Sequence, residues 1–177
     1  MKITWFAAMS FRIQIAGRIL VIDPQSAPAG IDAGELVSGA DTVIGSTSPA
    51  LADFDPELWR PRRRMRLIDE EGEEGLRLYR LGDSGLVADS LDDGLLVLDH
   101  ADAGTRWGIW ADGAVAVLSG SAAQCAAHGT ALLDIARPRL IALALDQGEI
   151  DVAFEALASH LGDASLIVLE PGMAVEV

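Results

Sequence analysis

Between residues 10 and 15, Phe11, Ile13 and Ile15 alternate with Arg12 and Gln14, the period of two that turns one face of a strand into a core. A second strand precedes it over residues 2–6. The turn Ala16-Gly17-Arg18 leads into the continuous apolar run Ile19-Leu20-Val21-Ile22, which reads as a buried strand ended at Pro24. Residues 25–40, rich in Ala, Gly, Pro and Ser, predict a loop with one helical turn. Residues 41–45 predict a further short strand, followed by a small polar loop over 46–48. Residues 53–59 begin a short helix, with Asp53 or Asp55 as cap and Pro56 in the first turn.

From residue 65 to 119 the pattern is strands divided by turns at 71–75, 82–85 and 92–94. Asp112-Gly113 gives the strongest hairpin signal, between strands at 107–110 and 114–118. Residues 121–136 lack β-branched runs and predict a helix stopping before Pro138. A strand at 140–145 follows. The helical spacing of Ala153, Phe154, Leu157 and Leu161 then marks a helix over 150–161, ended by Gly162. A last buried strand spans 165–170, and a tail strand 173–177.

A chain of 177 residues with half its positions hydrophobic builds one core, so a single domain over 1–177 is expected and extensive disorder is not. The net charge of −14 argues against binding nucleic acid or an anionic membrane surface. One cysteine, Cys125, excludes an internal disulfide or a multi-cysteine zinc site. No stretch is apolar and long enough for a membrane span, and residues 3–9 are too short for a signal-peptide core. A cytoplasmic protein is expected, with some of the apolar excess available for a subunit interface.

The opening Met1-Lys2-Ile3-Thr4-Trp5-Phe6 and the strand end Ile22-Asp23-Pro24 resemble the small intracellular zinc-dependent hydrolases of the metallo-β-lactamase fold, in their lactonase-like branch. Arg137-Pro138-Arg139-Leu140-Ile141 and Leu169-Glu170-Pro171-Gly172 are similar to that family's late strands. The resemblance covers about the first 52 and last 42 residues, and it lies mostly in scaffold. It implies an α+β fold, a four-layer αββα sandwich with mainly antiparallel or mixed sheets, here shortened. It also implies a di-metal site whose ligands come from an H-x-H-x-D-H loop after the strand at 41–45.

In this chain the ligand positions of that loop are Thr47, Pro49, Leu51 and Ala52. The family's early histidine falls on Ala8 and its late one on Leu145. None of these side chains offers a metal an imidazole or carboxylate. The metal-bridging aspartate matches either Asp83 or Ser121. The hairpin expected at Asp112-Gly113 favours Ser121, and under either match one carboxylate does not hold a metal pair.

The expectation is therefore a degenerate, metal-free relative with no cofactor, serving a structural role or binding a small molecule or protein. Self-association and pairing with an active homologue are both compatible with it. The alternative is an esterase, lactonase or phosphodiesterase with a relocated site built from Asp83, Asp99, His100 and Asp102. Asp99 and His100 are adjacent, so on a strand they face opposite sides. Cys125 and His128 are spaced to share a helix face, as a nucleophile pair or as a buried thiol beside a surface histidine. His160 ends a helix, where it meets the dipole. The basic run from Arg60 to Arg66 reads as a solvated segment paired with the acidic turn at 69–74, or as a phosphate patch. Trp59, Trp107 and Trp110 either fill a core face or line a pocket.

Overall fold

The computed structural model describes residues 1–62, 75–101 and 105–177. Among these residues twelve strands form two sheets. The smaller sheet has the order β12-β1-β2-β3-β4, built from Lys2–Ala7 (β1), Ser10–Ile15 (β2), Arg18–Ile22 (β3), Thr42–Ile44 (β4) and Ala174–Glu176 (β12). The larger has the order β11-β10-β9-β8-β7-β6-β5. Its strands are Ala52–Asp53 (β5), Leu76–Leu81 (β6), Gly85–Ser90 (β7), Gly94–His100 (β8), Val115–Ser119 (β9), Leu140–Ala144 (β10) and Ser165–Val168 (β11). Among the described residues five strand pairs are antiparallel and five parallel. The sheets are mixed and the fold is α+β.

Strand alternation divides the interior into two layers. Leu86, Ala88, Leu96, Leu98, Val115 and Val117 of the larger sheet pack against Ile3, Phe11, Ile13, Ile15, Leu20 and Ile22 of the smaller. The intervening positions Val87, Val97, Ala116, Leu118, Ile141 and Leu143 face the other way, against Cys125, Leu132, Ala153 and Leu157. Those four come from the helices Ala122–Ile135 (α2) and Ile150–Ala158 (α3). The fold thus reads helices, larger sheet, smaller sheet. On the outer face of the smaller sheet Arg12 donates to the carbonyls of Leu36 and Ser38, holding there the five-residue helix Ala33–Val37 (α1).

The hairpin turns at Gly17, at 82–85 and at 92–94 form as the sequence predicts. The one expected at Asp112-Gly113 does not. Both neighbours of β9, β8 and β10, run parallel to it, and residues 109–111 form a 3₁₀ turn rather than a strand. Gly113 keeps the positive φ of a turn, but its N–H donates to the carbonyl of Arg137 across the sheet edge. The helix expected over 53–59 is also absent. Residues 52–53 pair with β6, and only a single turn follows, in which Asp55 accepts from the N–H groups of Glu57 and Leu58. The turn at 71–74 and most of the basic run lie outside the described residues. Among the described helices, none is long and apolar enough to cross a membrane.

Candidate functional site

The parallel strands β8, β9 and β10 end at one edge of the larger sheet, where His100, Ser119 and Ala144 follow one another by register, with Asp99 one residue before His100 and Leu145 one residue after Ala144. Asp99 and His100 diverge there, as alternation requires. Asp99, wholly buried, turns toward the helices: its Oδ2 lies 2.7 Å from Nδ1 of His128, and its Oδ1 accepts the hydroxyl of Thr105. His100 turns toward the space between the sheets, its Nδ1 3.2 Å from Oγ of Ser119, which lies 3.4 Å from the Met9 sulfur. Asp83 is exposed on the β6–β7 turn. Asp102 lies outside the described residues. The relocated-site candidates Asp83, Asp99 and His100 therefore do not converge, and no group of three His, Cys, Asp or Glu side chains among the described residues is placed to hold a metal.

The Cys125–His128 pair is not formed as a nucleophile. His128 is committed to Asp99, while Cys125 is fully enclosed. Burial, with the charges of Asp99 and Glu149, pushes its thiol up to about 12, the reverse of the depressed value a reactive thiolate needs. The N-terminus of α2 is closed as well. Ser121 and Gln124 form a capping box, and a carboxylate oxygen of Glu149 accepts the Ala122 N–H at 2.6 Å. The Ala122 and Gln124 N–H groups are thereby already given to acceptors of the chain and not to an external anion. His160 sits past α3, its Nδ1 3.1 Å from the carbonyl of Ala156, the end-of-helix role expected for it.

At the positions that the resemblance would make ligands, Ala8, Thr47, Pro49 and Ala52 are exposed, whereas Leu51 and Leu145 are buried. Leu51 belongs to the core between the sheets, and Ala52 is an element of β5 paired with Tyr79. The loop holding them is fixed from below by Asp23, whose two carboxylate oxygens each lie 3.2 Å from the Ser46 nitrogen. The edge therefore has ordered backbone but carries apolar or non-ligating side chains.

A cavity of about 950 Å³ lies elsewhere, between the segment 55–61 and the segment 106–110. Trp59, Trp107, Ile109 and Trp110 line it together with Arg60 and Arg106. Phe54 anchors the aromatic wall from within the core, its ring 4.7 Å from that of Trp110 and 6.1 Å from that of Trp59. Trp107 stacks on Trp110 at 5.7 Å and 23°. A buried acid holds one side: Oδ2 of Asp89 is 3.3 Å from the Trp59 indole nitrogen and 3.1 Å from Nε of Arg62. Arg62 is thus bound to Asp89, a partner the sequence does not suggest for the basic run. The three tryptophans stand out in the sequence. Arg106 does not, and its place beside Trp107 is the one signal that points to it. No family model matches this chain, and neither a curated protein nor a solved structure matches it.

Proposed function

We propose that the protein is a non-catalytic binding protein on a shortened scaffold of metallo-β-lactamase type, its fourth layer reduced to α1, and that its ligand sits in the tryptophan-lined cleft. The observation that carries this reading is the contrast between two places. The edge that would hold the metal pair carries Thr47, Pro49, Leu51, Ala52 and Leu145, with Leu51 and Leu145 drawn into the interior. The cleft has the size and the aromatic, polar-tipped lining of a small-molecule site.

The test is calorimetric titration of the protein with zinc and with manganese, beside a screen of ester, lactone and phosphodiester hydrolysis. Neither metal binds near stoichiometrically or raises the melting temperature, and turnover stays at background. Stoichiometric metal binding with metal-dependent hydrolysis overturns the reading.

A relocated hydrolase is the second reading, favoured by one observation: Asp99 orients His128 from behind, the base-and-orienter half of a catalytic triad. Hydrolysis abolished in His128→Gln but present in the parent protein would support that reading over the first.

A further inference from the structure

We propose that the cleft between residues 55–61 and 106–110 takes a flat, apolar carboxylate, an aryl carboxylic acid in its ionised form. This rests on the binding reading above and specifies its ligand. The cavity of about 950 Å³ falls at the upper end of the range usual for small-molecule sites, roughly 300–1,000 Å³, so it accepts a fused ring system. The near-parallel Trp107–Trp110 pair presents the geometry on which a further flat ring stacks.

The polar groups of the wall fix the sign of the ligand. The indole N–H groups of Trp107 and Trp110 are both out of solvent without an acceptor, an arrangement that costs each of them a hydrogen bond. Arg106 is exposed on the wall and has no hydrogen-bond or ion partner among the described residues. Oδ1 of Asp55 accepts the N–H groups of Glu57 and Leu58, so its Oδ2 and the Glu57 carboxylate are the acid groups of the wall, both on the 55–61 side. Among the described residues of the 106–110 side, where Trp107 and Trp110 lie, Arg106 is the one charged group, so a ligand stacked there is matched by an acceptor. A planar carboxylate matches a guanidinium in bidentate fashion. A cation stacked on Trp107 would instead lie on the same side as Arg106, with Asp55 and Glu57 on the opposite side.

The experiment compares three probes of one shape by calorimetry on the full chain: 2-naphthoate, its neutral amide, and the corresponding naphthylmethyl ammonium. The carboxylate binds one to one, at least tenfold more tightly than the amide, and the ammonium is weaker still. Arg106→Gln, an exposed change that leaves the melting temperature unaltered, removes the preference for acid over amide. Arg106→Lys restores part of it, and Trp107→Leu weakens all three probes. Amide or ammonium binding as tightly as the acid, still dependent on Trp107, overturns the ligand class and leaves the binding reading standing. Absence of binding by all three overturns both. Both also fall if the exposed Ile109 proves to bury itself in a dimer that Ile109→Asp dissociates.

Discussion

Nδ1 of His128 on α2 lies 2.7 Å from the buried Oδ2 of Asp99 at the end of β8, joining two elements whose residues are 29 positions apart. Asp99 is completely inside the protein and has Thr105 as its other partner. Deleting one member of such a pair strands the other in low dielectric, which costs more than the pair itself contributes. His128→Ala is therefore expected to destabilise the fold by about 3 kcal/mol. Asp99→Asn, which keeps the shape and removes the charge, should cost less. Combining the two changes should cost less than their sum, because a neutral amide no longer needs the imidazole. Urea unfolding of the four proteins measures all three quantities. A His128→Ala loss below about 0.5 kcal/mol, the level of an ordinary surface change, would show that the contact is incidental.

Cys125 is a thiol only in name as far as chemistry is concerned. Enclosed on the inner face of α2 and held up to about 12 by burial and by the charges of Asp99 and Glu149, it stays protonated at any ordinary pH. The folded protein should not react with a disulfide reagent at about pH 8, near the pKa of a free cysteine. Labelling should appear with the same midpoint in urea as the loss of helical signal. Prompt labelling of the native protein would mean that α2 opens locally or that the thiol is reachable.

Gly129 sits where α2 comes closest to its neighbours. A Cβ there would stand 2.7 Å from one Leu157 methyl, 3.0 Å from the other and 3.2 Å from a Leu118 methyl. Leu157 and Leu118 are both fully buried, so neither has free space to turn into. Although alanine is the better helix former, Gly129→Ala is expected to lose about 2 kcal/mol through overpacking. Trimming the obstruction in Gly129→Ala with Leu157→Val should recover part of that. A thermal melt of Gly129→Ala at or above the parent temperature would mean that α3 moves aside without cost.

What the sequence made legible follows how local each determinant is. The turns at Gly17 and at 92–94 carry their own backbone instructions, and they form where the pattern puts them. Helix α2 likewise announces itself through composition and through the stop before Pro138. Asp112-Gly113 carries the same local instruction as a hairpin, yet the strand after it is claimed by β8 and β10 on both sides. Parallel pairing over such distances has no short-range signature, so local turn chemistry lost to sheet assembly. The cleft is hidden for the same reason, since Trp59 and Trp107 meet only after two chain-distant segments converge. The opposite facing of Asp99 and His100 was legible, because strand geometry alone decides it. The partners they find, His128 and Ser119, were not.

Asp93 clasps two turns together, and its contribution to stability should vary with pH in a defined direction. From the β7–β8 turn its Oδ2 accepts the N–H of Ala16 at 2.6 Å, in the β2–β3 turn, while Oδ1 lies 3.2 Å from the amino-terminal nitrogen of Met1. Burial alone would raise its pKa. The Ala16 N–H, the ammonium of Met1 and the charge of Arg139 more than offset that, and hold the carboxyl below its ordinary value. A group whose pKa falls on folding stabilises the native state fully above its unfolded pKa, about 3.9 for aspartate. That stabilisation is lost as pH drops through the lower folded value. With the side chain a quarter exposed, solvent screening keeps the contribution to about 1 kcal/mol. Asp93→Asn should therefore be less stable than the parent by about that amount near pH 7, with the gap narrowing below about pH 4. Denaturation curves taken between these limits test it. A gap that stayed constant into acid would assign the effect to the shape of the turn and not to the charge.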